Sequence, residues 1–246
     1  MPLEWTAETL RLSLFFPEAV RATVGDWSKV TGQDEPETIQ NAAGRRSMIG
    51  PFQGGILQMN VIGPRIDCIL LPKAPNETVE EGYVPTIGTV PKVLHDFVNA
   101  TAGWLGELEQ PLQRIAVAGT MLAKCQNLPT AYATLIDMLR TVHGDPHRMK
   151  ELVFRINWPR NSTAVNGLSL NRITTWSVIQ IQLQILTQSG PTTVVNETPA
   201  TIAIRLEFDH NTDAERLAPF DRHSLVPIYR ELVALALENA EKGEVL

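Results

Sequence analysis

Side chains able to do acid–base or metal chemistry gather in three places along the chain. His143 and His147 flank Gly144-Asp145-Pro146, so two imidazoles and a carboxylate share one turn that could hold a metal ion. Asp209-His210-Asn211 closes a strand-like run, and His223 stands just ahead of the last helical segment, where a base and an orienting acid could meet. Each place also has a plainer reading. The 143–147 turn ends a helix, where a cation is favoured. Asp209 and Asn211 are ordinary strand-to-loop residues, and Asp221 or Ser224 would cap a helix. The plainer readings carry more weight, because the His143 turn lacks the helical spacing of a zinc protease. No G-x-S-x-G, P-loop, G-x-G-x-x-G, C-x-x-C or H-E-x-x-H pattern occurs, and nothing nominates a nucleophile or implies a cofactor. A metal-dependent hydrolase built on the His/Asp turns therefore stands as the alternative reading.

Recognition chemistry is better represented than catalysis. In "TTWSVIQIQLQIL" Ile179, Ile181, Leu183 and Ile185 form one face of a strand, and Gln180, Gln182 and Gln184 form the other. Along "LVFRINW" Phe154, Ile156 and Trp158 take the core side, while Arg155 and Asn157 face away. Arg205, Glu207 and Asp209 line the same outward surface in a later strand. The expectation is a sheet with one open polar face, as antiparallel sheets often have. Its candidate binding residues are Arg155, Asn157, Arg160, Arg172 and Trp176, with Arg supplying charge-assisted hydrogen bonds and Trp a flat apolar anchor. The partner expected for such a face is a protein or a second copy of the chain.

Composition bounds these readings. A hydrophobic content of 43% and a charged content of 20% over 246 residues describe a chain able to bury a real core. The net charge of −6 argues against a surface that coats nucleic acid. Residues 111–200 are nonetheless locally basic, with 8 Lys and Arg against 4 Asp and Glu, so a nucleic-acid-binding accessory role is a further alternative. Cys68 and Cys125 are the two cysteines and form no metal or disulfide pattern. No basic leader and no long apolar run stands out, so a cytoplasmic protein without membrane contact is expected.

Several elements must position those side chains. Leu10, Leu12 and Leu14 alternate in a first strand, and Pro17 is read as opening a helix carrying Val20, Val24, Trp27 and Val30. Residues 34–46 read as a loop or weak edge strand. A hairpin follows, with strands near 55–62 and 65–72 turned at Gly63-Pro64. A helix starts near Val90. The order then restarts with a strand near 112–123, a helix opened by Pro129, strands near 151–158, 168–186 and 201–209, and a last helix from about Ser224 to Glu241. The fold class is α+β: two pseudo-repeated strand-helix-three-strand-helix halves, 1–110 and 111–246, forming a largely antiparallel sheet with helices on one face. This order resembles the repeat of the TATA-binding-protein fold, a likeness of topology that carries no function.

"FRINWPRNS", "GLSLNRITTWSV" and "RLEFDHNTDAERLAPF", with the tail "LVPIYRELVALALENAEKGE", resemble a sporadically distributed, functionally uncharacterised family of bacterial proteins of similar length. The likeness covers mainly residues 150–242. It implies an intracellular accessory protein and brings no catalytic residues.

Overall fold

The computed structural model describes residues 3–74, 82–189, 192–197 and 199–244, of which 184–189 and 192–197 are described by their backbone. The first part of the chain runs β1 (Thr6–Phe15), α1 (Val24–Thr31), β2 (Thr38–Ala42), β3 (Arg45–Phe52), β4 (Gly55–Ile62), β5 (Arg65–Pro72), β6 (Gly88–Thr89) and α2 (Val90–Glu107). The second runs β7 (Arg114–Cys125), α3 (Leu128–Met138), β8 (Val153–Asn157), β9 (Arg160–Asn161) and β10 (Ser169–Ile181). It ends with β11 (Gln184–Ser189), β12 (Thr192–Glu197), β13 (Thr201–Thr212) and α4 (Arg222–Lys242).

Eleven strands make one sheet in the order β2-β3-β4-β5-β1-β7-β13-β10-β8, with β6 paired to β1 and β9 to β10. Every pair is antiparallel, and β11 and β12 form a separate hairpin. The α+β class is therefore as expected. The first strands of the two parts, β1 and β7, lie side by side at the centre with Leu12 opposite Val117. Residues before and after 110 thus share one sheet and one core.

Alternation decides which face is buried. Leu10, Leu12 and Leu14 of β1, Leu57 and Met59 of β4, Val117 and Met121 of β7, and Ile204 and Leu206 of β13 all point to the helices and are almost wholly buried. All four helices contribute to that same core. Thr101 of α2 and Tyr229 of α4 share a buried hydrogen bond of 2.7 Å. Trp5 donates its Nε1 to the Ala240 carbonyl at 2.8 Å and meets Trp176 edge-on at 6.0 Å. Among the described residues no helix is long and apolar enough to cross a membrane.

Local expectations change at two points: the strand expected over 168–186 ends at Ile181, with β11 following at Gln184 in a separate hairpin, and the first helix starts later. Helix α1 starts at Val24, not at Pro17, because Thr23 and Asp26 form a reciprocal capping box there. Residues 34–46, read as a loop or weak edge strand, hold the edge strand β2, exposed throughout, and the start of β3, which pairs with it and runs on to Phe52. The β4–β5 hairpin turns at 63–64 as expected.

Candidate functional site

The register of the central strands lays out the face opposite the helices in rows. One row runs Ile69, Arg11, Ala118, Asp209, Ile173 and Asn157 across β5, β1, β7, β13, β10 and β8. The next runs Thr9, Thr120, Glu207, Thr175 and Arg155. On β7 the side chains are short, and the neighbouring strands carry long ones, so a basin of about 420 Å³ opens over the middle of the sheet. Arg11 bounds it on one side and Arg155 on the other, with Glu207 and Asp209 between them. A polar seam closes one end. There Asn157 donates to Asn171 at 3.0 Å, and both Asn171 and Arg114 donate to the Asn211 amide oxygen, at 3.2 and 3.0 Å.

Most charges on this face are already engaged. Arg205 pairs with Glu207 at 3.0 Å and reaches Glu8 at 3.9 Å. Arg65 pairs with Asp67 at 2.8 Å, and the Phe15 ring lies beneath the guanidinia of Arg65 and Arg114 at 5.1 and 5.0 Å. Lys124 donates to the Gly82 carbonyl at 2.7 Å. Arg11 and Arg155 differ. Neither has a hydrogen bond or ion pair among the described residues; the Arg11 Nε is buried without an acceptor, as are those of Arg114 and Arg205, whose other nitrogens are engaged. A cationic donor kept from water in this way favours any ligand that brings an oxygen to it.

The five candidate residues read from the sequence separate into two groups. Arg155 and Asn157 stand exposed on the open face. Arg160 instead reaches Glu238 of α4 at 3.4 Å. Arg172 and Trp176 are 5% and 1% exposed and point to the helices, because residues 170, 172, 174 and 176 of β10 set its buried phase. Burial pulls the Arg172 pKa below the usual guanidinium range against the pull of nearby Glu238, and its Nη2 donates to Asn239 at 3.2 Å. Asn171, Ile173, Thr175, Ser177, Ile179 and Ile181 share the open-face phase of β10, so Gln180 belongs to the other phase. The side chain of Gln184 lies outside the described residues. The loop after "RINWP" is tied down from within. Glu231 accepts from the Ser162 hydroxyl, from the Thr163 amide and hydroxyl at 2.7 and 2.8 Å, and from the Ala164 amide at 3.2 Å. Partial burial works against the Glu231 charge, but these donors outweigh it and hold the carboxyl below the usual range. Arg11 and the short residues Ala118 and Thr120 were not among the expected site residues. The signal for Arg11 is its place between Leu10 and Leu12, and for Ala118 its place beside Val117.

The catalytic alternatives do not assemble. Asp209 faces the open side and His210 the core, since they are adjacent on one strand. His210 is fully buried. Its Nε2 accepts from the Asn239 amide at 3.1 Å and its Nδ1 donates to the Leu232 carbonyl at 3.2 Å. The direction follows from Asn239, whose oxygen is occupied by Arg172. Burial pushes the His210 pKa down to about 4, so the ring is a neutral structural link. The Asp145 carboxylate accepts the backbone amide of His147 at 3.0 Å, closing its own turn, and His143 and His147 are exposed beside it. His223 stands exposed at the start of α4, where its backbone amide donates to Asp221. Among the described residues no group of three or more His, Cys, Asp or Glu is arranged to hold a metal ion. The basin thus combines a concave floor, two guanidinia without a partner among the described residues, and two carboxylates between them. No protein-family model matches the chain, and no curated protein or solved structure is significantly similar to it.

Proposed function

We propose that this chain is a non-enzymatic binding protein whose open sheet face receives a protein partner. The observation that carries the reading is the central basin, where Arg11 and Arg155 have no hydrogen bond or ion pair among the described residues, while Glu207 is paired with Arg205 and Asp209 accepts from Asn211. Such a face offers charge-assisted hydrogen bonds at its rim and short side chains at its floor, which lets a partner backbone approach closely. The same reading takes the two parts of the chain as pseudo-repeats of the TATA-binding-protein kind. In support, each part begins with a central strand, β1 or β7, beside its last long strand, β5 or β13, and ends in a long helix. An intracellular accessory role fits two unpaired cysteines.

The test fills the basin. Ala118→Trp places an indole over the floor, and a photoreactive residue at Thr175 reports what sits there. The expected result is that Thr175 crosslinks a partner, which a photoreactive residue at Leu237 on α4 does not capture, and that Ala118→Trp suppresses the crosslink. Crosslinking to a second copy would identify the partner as the chain itself. Equal capture from Leu237, or capture indifferent to Ala118→Trp in a folded variant, would remove the open face from consideration.

A further inference from the structure

We infer that the open face selects an extended acidic segment of a partner protein, with carboxylates about six residues apart and a donor or cation between them. The inference rests on the reading of this face as a docking surface and adds what the surface selects. The first support is sign. The chain carries a net charge of −6, yet strand register puts Arg11, Arg45, Arg65, Arg114, Arg155 and Arg205 on this one face, with Lys124 at its end. Among the described residues, Glu8, Asp67, Glu207 and Asp209 are the acids that face these seven cations. Among the described residues this face therefore carries an excess of positive charge on a chain that is net acidic, and an acidic partner is steered to it.

Spacing narrows the ligand. Arg11 lies on β1 and Arg155 on β8, four strands along the sheet order. At about 4.8 Å per strand their backbones are about 19 Å apart, more than a small carboxylate can bridge. An extended segment laid across the strands covers that span in about six residues, and residues i and i+6 then point the same way. The middle of the basin is different. Glu207 and Asp209 line it, so an acid there is repelled while a lysine or hydroxyl is accepted. A nucleic-acid strand is disfavoured by the scarcity of flat platforms. Phe15 is the one aromatic side chain on this phase of the described sheet, and Arg65 and Arg114 already cover its ring.

The experiment uses the whole chain and three defined probes. One is the capped peptide Glu-Ser-Lys-Ser-Thr-Ser-Glu, the second its charge-reversed counterpart Lys-Ser-Glu-Ser-Thr-Ser-Lys, and the third a single-stranded thymidine oligomer of similar length. Binding is followed by NMR of the arginine Nε–H and backbone amide signals. The acid-ended peptide should shift Arg11 and Arg155, and Arg11→Gln or Arg155→Gln should each weaken it by about tenfold. Arg230→Gln on α4 should leave it unchanged. The inference is overturned if the charge-reversed peptide binds as well, if neither arginine variant weakens binding, or if no peptide binds. Tighter binding of the oligomer through the same two arginines would overturn it in favour of nucleic acid. Loss of peptide binding in Ala118→Trp with both arginine variants unaffected would keep the docking face and remove the acidic chemistry. Indifference to Ala118→Trp would remove both.

Discussion

The buried chain Arg172–Asn239–His210–Leu232 makes a quantitative prediction about acid. Asn239 is the pivot: its oxygen accepts from Arg172 at 3.2 Å and its amide faces His210 Nε2 at 3.1 Å. Protonating the ring would set two donors against each other in a site without water access, next to a guanidinium. Desolvation is the largest cause of the depressed pKa of about 4, and the Arg172 charge adds to it. In the unfolded chain the same ring titrates at 6.5. The unfolded state therefore binds the extra proton first, so this residue's contribution is intact above about pH 6.5 and is lost as pH falls toward about 4. At about pH 4.5 the loss is about 2 to 3 kcal/mol. Asn239→Asp replaces the opposing donors by a carboxylate that accepts from Arg172 and from a protonated ring together. The variant should raise the His210 pKa and flatten that part of the acid loss. Urea unfolding at several values from about pH 7.5 to about pH 4.5, with the ring followed by NMR, measures both effects. Using the difference between the two proteins cancels the carboxylates that titrate in each. An identical acid slope in both proteins, or a His210 that titrates near 6.5 in the folded protein, would refute the reasoning.

Two further perturbations test the sheet and the clamped loop. A Cβ on Gly119 would come within 2.7 Å of the Thr9 carbonyl oxygen and 2.8 Å of the Phe208 ring. Gly119→Ala should therefore cost about 1 to 3 kcal/mol in urea unfolding, because neither a neighbouring strand nor a buried ring can yield cheaply. Gly103→Ala, on the exposed side of α2 with nothing within 4 Å, should instead add about 1 kcal/mol from helix propensity. Glu231→Gln puts an amide hydrogen against donors that now bond a carboxylate; amide exchange at residues 162–165 should accelerate, with a cost of about 1 to 3 kcal/mol. Unchanged exchange there would mean that Glu231 does not hold the loop.

What was readable from the chain follows from where the deciding partner lies. The β4–β5 hairpin was legible because alternation and the Gly63-Pro64 turn are both local. The phase of β10 was not. Its isoleucines at 179 and 181 invite burial, but the helices cover the earlier part of the strand, where Trp176 packs beside Leu206 and Thr174 beside Phe208. Burial of an arginine at 172 runs against composition, and the residue that makes it tolerable, Asn239, is far along the chain on α4. The start of α1 turns on two competing local signals: Pro17 is a permissive start, while the capping box at Thr23 and Asp26 is a specific one.

The polar groups on the two faces differ in how far they are spent. On the helix side Glu231 holds a loop, Glu238 meets Arg160 and Lys242, Glu244 is bonded to Thr141, and Asn239 links Arg172 to His210. Each of these serves stability, and removing one leaves a donor or acceptor short. The open face has the same economy at its seam, from Asn157 through Asn171 to Asn211. It stops at the basin. Freeing Arg11 and Arg155 from internal partners adds nothing to the isolated fold, and the buried Arg11 Nε costs it the hydration of a charged donor. Replacing both by Gln should therefore leave the resistance to unfolding unchanged or slightly raised while binding falls. That separation of stability from binding distinguishes a recognition surface from one more structural network.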